Sequence, residues 1–535
     1  MPFPRIPSAA LVFLILAIVA CAGSASPSQT QSGAVQSPAS SDQAGGGSSP
    51  AGQEKVLRVG LPFLSQPPDP VKGGFQPVQT GLAETLFKLD YSLKPQPWLA
   101  TGARQLDVQS WEITLREDVT FHNGDLMDAA AVKASLERAV AESTRARVLL
   151  DIAKIEVNSP FTVTISTNNP SPILPALLTE LTSSIVDAAA AEAMGETFTE
   201  KPVLTGPFKV ERFQLDQELV VVSHKEYWGS PPKLDRAIFT YLPDNNSRTL
   251  ALQSGDIDIA VNIAPESVAT VNADSNLVVR SAPPIYLEFM YLNHQRDAWK
   301  DPRVRQAIAL AIDRPGLVQA VTHGRGTVAS GPFPPIMLTC DHLPGYSFDP
   351  EHARELLGEA GYRDLDGDGI VGKDGDDLSM TLLTYRQRPE LPPMAEAIQA
   401  NLREIGIQVN IQMVEQIDSV LQQGDWDGAM YFVTMGISGD PYLNLSQYFG
   451  TGGSANFGGY SSPRVDDLKN QLGVAGEAAA RTELSCSASQ VILDELPIIP
   501  LIYPSFDIGV SRKVTGFDQP HPFAWYFMDN RIGKD

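Results

Sequence analysis

A chain of 535 residues exceeds what one hydrophobic core sustains, since cores stop growing near ~250 to 300 residues, so two large lobes are expected. With 43% hydrophobic and 19% charged residues the composition is that of a folding globular protein, which excludes wholesale disorder and a polytopic membrane protein. A formal net charge of -23 with no basic run argues against a nucleic-acid partner, because phosphate binding draws on clustered Lys and Arg; the acidic surface serves solubility or attracts cationic solutes.

At the N-terminus, Arg5 precedes an unbroken apolar run over 9–20 that fits the core of a signal peptide (1–20) and is too short to span a bilayer. The run stops at a cysteine, and Ile18-Val19-Ala20-Cys21 resembles the lipobox of bacterial lipoproteins, which implies Cys21 as an acylated first mature residue. Apart from Thr30, Val35 and Asp42, residues 22–53 are Ser, Gly, Ala, Gln and Pro, with Asp42 as the sole charge and no aromatic. Such a stretch builds no core, and a disordered tether over 21–54 is expected, its ends ~30 Å apart.

After Lys55 strands alternate with helices, beginning with a strand over 56–61 and another over 111–115. Asp128 is placed to cap a helix whose Val132, Leu136 and Val140 share one face. Phe161, Val163 and Ile165 then alternate with Thr162, Thr164 and Ser166, the period of a sheet with one wet face. Asp301 caps a helix with Pro302 at its first position and Val304, Ile308 and Ile312 inward. From 378 a second α/β series follows: a strand to Tyr385, a helix with Met394, Ile398, Leu402 and Ile405 on one face and Gly406 ending it, a strand over 407–413, and another over 429–434.

Several segments carry chemistry on paper. Asp364, Asp366, Asp368 and Asp376 open like a calcium loop, but Gly375 holds the twelfth position where a bidentate carboxylate belongs, so an acidic surface turn is the preferred reading. Cys340 and Cys486 are left to pair or to stay reduced, a choice that needs a distance. His122, beside the turn Asn123-Gly124, is read as a structural histidine. His-Glu-x-x-His, Gly-x-Ser-x-Gly and Walker patterns do not occur, which argues against the common hydrolytic and phosphate-binding enzymes.

The order of Trp111-Glu112-Ile113-Thr114-Leu115-Arg116, Phe121-His122-Asn123-Gly124, Thr205-Gly206-Pro207-Phe208, Tyr227-Trp228-Gly229, Ser254-Gly255-Asp256-Ile257-Asp258, Asp301-Pro302-Arg303-Val304-Arg305-Gln306-Ala307-Ile308 and Leu356-Leu357-Gly358-Glu359-Ala360-Gly361-Tyr362 resembles the family 5 extracytoplasmic solute-binding proteins of peptide and nickel ABC importers. The resemblance covers nearly all of the chain after the tether. It implies an α/β, two-lobed periplasmic-binding-protein-like fold (class C, large), with a discontinuous first lobe over 55–290 and 498–535, an inserted subdomain near 95–200, and an α/β second lobe over 291–497. Crossings are placed near Tyr291 and Pro497, and 498–503 is expected to return to the first lobe as a late strand.

The implied function is capture, without catalysis or cofactor, of a peptide or peptide-like solute for an ABC permease and its ATPase subunits. The protein would be a monomer held by lipid at the periplasmic or outer face of the cell membrane. A nickel or metal-chelate importer component is the alternative; an extracellular sensor or a peptide hydrolase is the alternative of another class. Relatives line the cleft with a segment whose counterpart is 434–442, which nominates Met435, Ser438, Asp440 and Tyr442; Ile437 stands where peptide-binding relatives hold an aspartate for the α-amine. Phe75 and Gln76 in the first lobe, and Tyr385 and Arg386 at a strand end in the second, complete the expected set, the arginine suiting a carboxylate-bearing solute.

Overall fold

The computed structural model describes residues 54–535 apart from 342, 344 and 524, so the predicted signal peptide, Cys21 and almost all of the tether lie outside the described residues. Among the described residues no helix is long and apolar enough to cross a membrane.

The first strand, Val56–Leu61, is buried on both faces except at Arg58 and near Val56, and so takes an interior place in a seven-stranded sheet. It lies parallel to Arg236–Tyr241 on one side and Ile259–Val261 on the other. Glu218–Ser223 and Phe208–Gln214 extend one flank, and Phe506–Ser511 and Leu277–Ala282 the other, all antiparallel.

A separate four-stranded sheet is ordered Ala100–Gln105, Ser110–Leu115, Thr162–Thr167, Ile152–Ser159. Helix Ala129–Glu142 covers it through Val132 and Leu136, and Asp128 caps that helix by accepting a hydrogen bond from the Ala131 amide at 2.8 Å. Val163 and Ile165 point into the same core. His122 is structural: its Nε2 lies 3.1 Å from the Gly206 carbonyl, its ring meets His224 edge-on, and burial pushes its pKa down to about 3.

The second lobe is a six-stranded sheet ordered Gly326–Val328, Ile498–Pro504, Tyr286–Leu292, Gly428–Thr434, Ser379–Tyr385, Gln408–Val414. Ser379–Tyr385 runs parallel to both neighbours, as a β-α-β series requires, and helix Leu391–Glu404 buries Met394, Ile398 and Leu402 against it. At the sheet edge only part of the predicted apolar face is closed, since Val409 is buried and Met413 exposed.

The chain crosses between the large sheets at 283–285 and again at Ser505, not near Tyr291 and Pro497 as expected. Tyr286–Leu292 is buried at every position and pairs along its length with Gly428–Thr434, which commits it to the second lobe. Ile498–Pro504 pairs with it from the other side, so the late strand of the first lobe is Phe506–Ser511 instead of 498–503. Pro283 and Pro284 have no N–H to continue a ladder, and pairing breaks there. By sheet membership the lobes are 54–282 with 506–535, and 286–504.

Cys340 and Cys486 form a disulfide within the second lobe, with Cα atoms 5.7 Å apart.

Candidate ligand-binding site

A cavity of about 830 Å³ opens where the chain crosses between lobes, well above the ~30 Å³ share of one water and within the ~300 to 1,000 Å³ span of small-molecule sites. Phe63, Phe75, Tyr241 and Trp525 face it from the first lobe; Tyr286, Glu288, Arg386, Arg388, Glu390 and Phe432 face it from the second.

The aromatic wall is built of two stacks. Phe75 lies 5.8 Å from Trp525 and Trp525 lies 4.5 Å from Phe523, centroid to centroid, while Tyr286 stacks on Phe432 at 5.1 Å. The Arg388 guanidinium sits 3.5 Å over the Phe432 ring, held by the ring's negative face. Arg386 is exposed into the cavity, and neither arginine has an ion-pair partner among the described residues.

Beside the crossing, Arg325 of the second lobe clamps two residues of the first. Its Nε donates to Asp507 Oδ2 at 2.9 Å, and its Nη2 pairs with Asp507 Oδ1 and donates to Ser281 Oγ, which in turn donates to Asp507 at 2.6 Å. Asp507 is only 3% exposed, so this interlobe pair is largely shielded from water.

Glu288, which sequence reasoning missed, is the most unusual group in the cavity wall. It shares a strand face with Tyr286 and is fully buried; among the described residues no N–H or hydroxyl donates to its carboxylate oxygens, and its hydrogen-bond partner is the Glu390 carboxyl. The strand pairing slips at Glu288/Phe289, opposite Ile502 and Pro500, a bulge of the kind that re-aims a side chain. Burial holds its pKa well above the ordinary carboxylate range, the nearby Glu390 carboxyl raises it further, and the Arg388 charge opposes both. The signal was a lone acid in the otherwise apolar run 285–292.

The expected site residues divide. Phe75 and Arg386 line the cavity. Gln76 does not; it is buried behind the wall, donating to the Phe63 carbonyl at 2.9 Å. Tyr385 is buried beneath the second sheet's end and is not part of the wall. The nominated segment reaches the cavity wall only through Thr434, and its remainder packs between the lobes. Gly439 sits at φ +70, where a Cβ would lie 2.0 Å from the Leu93 carbonyl of the first lobe, and Met435 is buried with its amide donating to Ile285. Ser438 is enclosed by Leu149, Leu177, Ile437 and Leu443. Tyr442 packs over Gly473.

Asp440 is occupied. Arg481 donates to it from Nε at 2.8 Å and from Nη2 at 2.6 Å, and Asp440 caps its own helix by accepting from the Tyr442 amide at 2.9 Å. The substitute counter-charge for an α-amine is thus a structural ion pair. Asp364, Asp366 and Asp368 do gather, with ligand atoms within 4.8 Å, but on an exposed turn where they accept from the amides of Gly367, Asp368, Gly369 and Ile370. Asp376 belongs to the short hairpin Gly372–Lys373 with Asp376–Asp377 and is not in that group.

Two α/β lobes joined by paired crossings, with a cavity at the seam, define a two-lobed solute-binding protein of the periplasmic-binding kind. The chain belongs to the bacterial extracellular solute-binding proteins, family 5, whose model for the middle region matches residues 94–456. It is similar to the nickel-binding protein NikA of Staphylococcus aureus (strain NCTC 8325 / PS 47), with 27% identity over 482 residues covering 89% of this chain and 94% of NikA. It is also similar to the glutathione-binding protein GsiB of Escherichia coli O1:K1 / APEC, with 28% identity over 483 residues covering 87% of this chain and 92% of GsiB. Among solved structures, a nickel ABC transporter protein from Bacillus halodurans is 33% identical, with a TM-score of 0.75 over 90% of this chain and 100% of that one. The protein is the substrate-binding component of an ABC importer; it acts outside the cytoplasm with permease and ATPase subunits and is not an enzyme.

Proposed function

We propose that the chain captures a small peptide-like solute in the cavity at the lobe crossing, as a monomer held to the membrane by acylated Cys21, and releases it unchanged to the permease. The observation that carries this reading is a pair of arginines, without ion-pair partners among the described residues, facing an aromatic wall from the other lobe. A planar guanidinium matches a carboxylate in two hydrogen bonds, and flat rings accept the apolar body of an amino-acid derivative. Segments 283–285 and Ser505 serve as the hinge, and the Gly439–Leu93 seam is the contact that breaks when the lobes part.

A chelated nickel ion is the second reading. His323 faces the same cavity, and similarity to NikA supports it as similarity to GsiB supports a peptide. Among the described residues the only cluster suited to a bare ion is the exposed aspartate turn, away from the cavity wall, so nickel would enter with its chelator. Titrating the protein with di- and tripeptides and with nickel–L-histidine, while following melting temperature and radius of gyration, separates the two. Stabilisation with compaction by peptides is expected; a response to nickel–histidine alone would replace this reading with the second.

A further inference from the structure

We propose that Glu288 recognises a cationic N–H group of the solute, so that the cavity selects compounds bearing an ammonium or guanidinium group together with a carboxylate. This rests on the cavity being the solute site.

A glutamate is almost never fully buried without a partner, because an unpaired carboxylate in a low-dielectric site is costly. Glu288 has only another acid, the Glu390 carboxyl, and no cationic partner among the described residues, although it is 0% exposed and lines a cavity large enough for a solute. The nearest cation does not satisfy it, since Arg388 is laid over Phe432 and makes no ion pair with Glu288 or Glu390. With the Arg325–Asp507 pair and Glu288 itself set aside, the walls carry Asp244, Glu266 and Glu390 against Arg386 and Arg388. That excess of acids favours a cationic or zwitterionic guest over a purely anionic one. Tyr286, two residues before Glu288 on the same strand face, sets an aromatic ring beside the carboxylate where a cation would also meet it. A solute N–H inserted here supplies the missing donors, and its own carboxylate reaches the arginines. Burial and Glu390 raise the pKa of this carboxyl and a bound cation lowers it, so capture is expected to be coupled to proton release.

The test uses four dipeptides of one shape: Ala-Arg, Ala-citrulline and their N-acetyl forms, the last having no cation. Calorimetric titration at pH 6 in two buffers of different ionisation enthalpy reads affinity and proton count for the wild type, E288Q and R388M. The cationic members are expected to bind the wild type at least about 30-fold tighter than N-acetyl-Ala-citrulline, with net proton release; E288Q removes both the preference and the release. R388M keeps the preference. Equal affinity across the four, no binding by any, or an E288Q profile superimposable on the wild type overturns the proposal. A peptide that binds and compacts the protein without a cation preference removes this inference and leaves the import reading standing; no compaction by any solute removes both.

Discussion

The Asp440–Arg481 pair decides whether the segment 434–442 touches the solute or only holds the second lobe together. The side chains are 15% and 9% exposed, and the guanidinium approaches with two nitrogens while its Nη1 donates to the carbonyls of Leu472 and Ala475. Replacing Arg481 by Ala strands a largely buried carboxylate and two carbonyls, a loss of about 3 to 5 kcal/mol. Replacing Asp440 by Ala strands the guanidinium and also removes the cap on Tyr442, worth about 1 kcal/mol by itself. Because the two changes remove one shared interaction, the double variant D440A/R481A should fall short of the sum by about 2 kcal/mol. Urea unfolding of the four proteins gives these numbers, and solute affinity of the folded protein is measured beside them. Stability is expected to drop with affinity held within a few-fold. An unchanged unfolding midpoint together with a hundredfold loss of affinity in D440A would refute the structural role.

Three further outcomes follow from the packing. Glu84 is buried beneath Tyr227 and Trp228, which donate to it at 2.6 and 2.9 Å, and burial raises its pKa from the usual 4.5 to about 7. Between those values the unfolded chain has lost its proton and the folded chain keeps it, so stability should decline with rising pH by ~1.4 kcal/mol per unit, roughly 3 in all; the pH 5 to pH 8 difference in urea midpoint should shrink accordingly in E84Q, and an identical difference would contradict the assignment. The Cys340–Cys486 bridge spans 146 residues, for which chain-entropy arithmetic gives about 5 kcal/mol, so C340S/C486S should lower the melting temperature of the second lobe, and an unmoved transition would count against the bridge. Removing Arg325 leaves Asp507 with only Ser281, so R325A is expected to cost about 2 kcal/mol, less than a fully buried pair because Arg325 is 30% exposed, and to enlarge the radius of gyration without solute; X-ray scattering that matches the wild type would discard its part in holding the lobes.

Local patterns carried much of the architecture. The stripes Val132–Leu136 and Met394–Ile398–Leu402, the caps at Asp128 and Asp301, and the turn-out at Gly406 depend on neighbours within a few residues and are present, although Val140 of the first stripe is only half-buried. Sheet membership depends on partners far away: Glu288 faces Ile502, and no periodicity within either strand says which lobe will claim it. The crossings were therefore misplaced by several residues. The same limit governed the site. Phe75 and Arg386 were legible as an aromatic and an arginine at loop positions, whereas the fate of Asp440 depends on Arg481, which sits on the distant helix Ala478–Glu495. Ser438 and Met435 read as polar and pliable groups suited to a ligand, but a glycine at 439 lets the first lobe press against this segment and leaves no room there for one.

The placement of Phe506–Ser511 between Ile259–Val261 and Leu277–Ala282 sets an order of assembly. During export the strand that joins those two reaches the far side of the membrane only after 286–504 has passed through. The second lobe can therefore collapse while the first still has an open sheet edge. Until that gap closes, the nascent protein exposes unsatisfied backbone to solvent, and this interval is when an extracellular folding helper or a protease would find it.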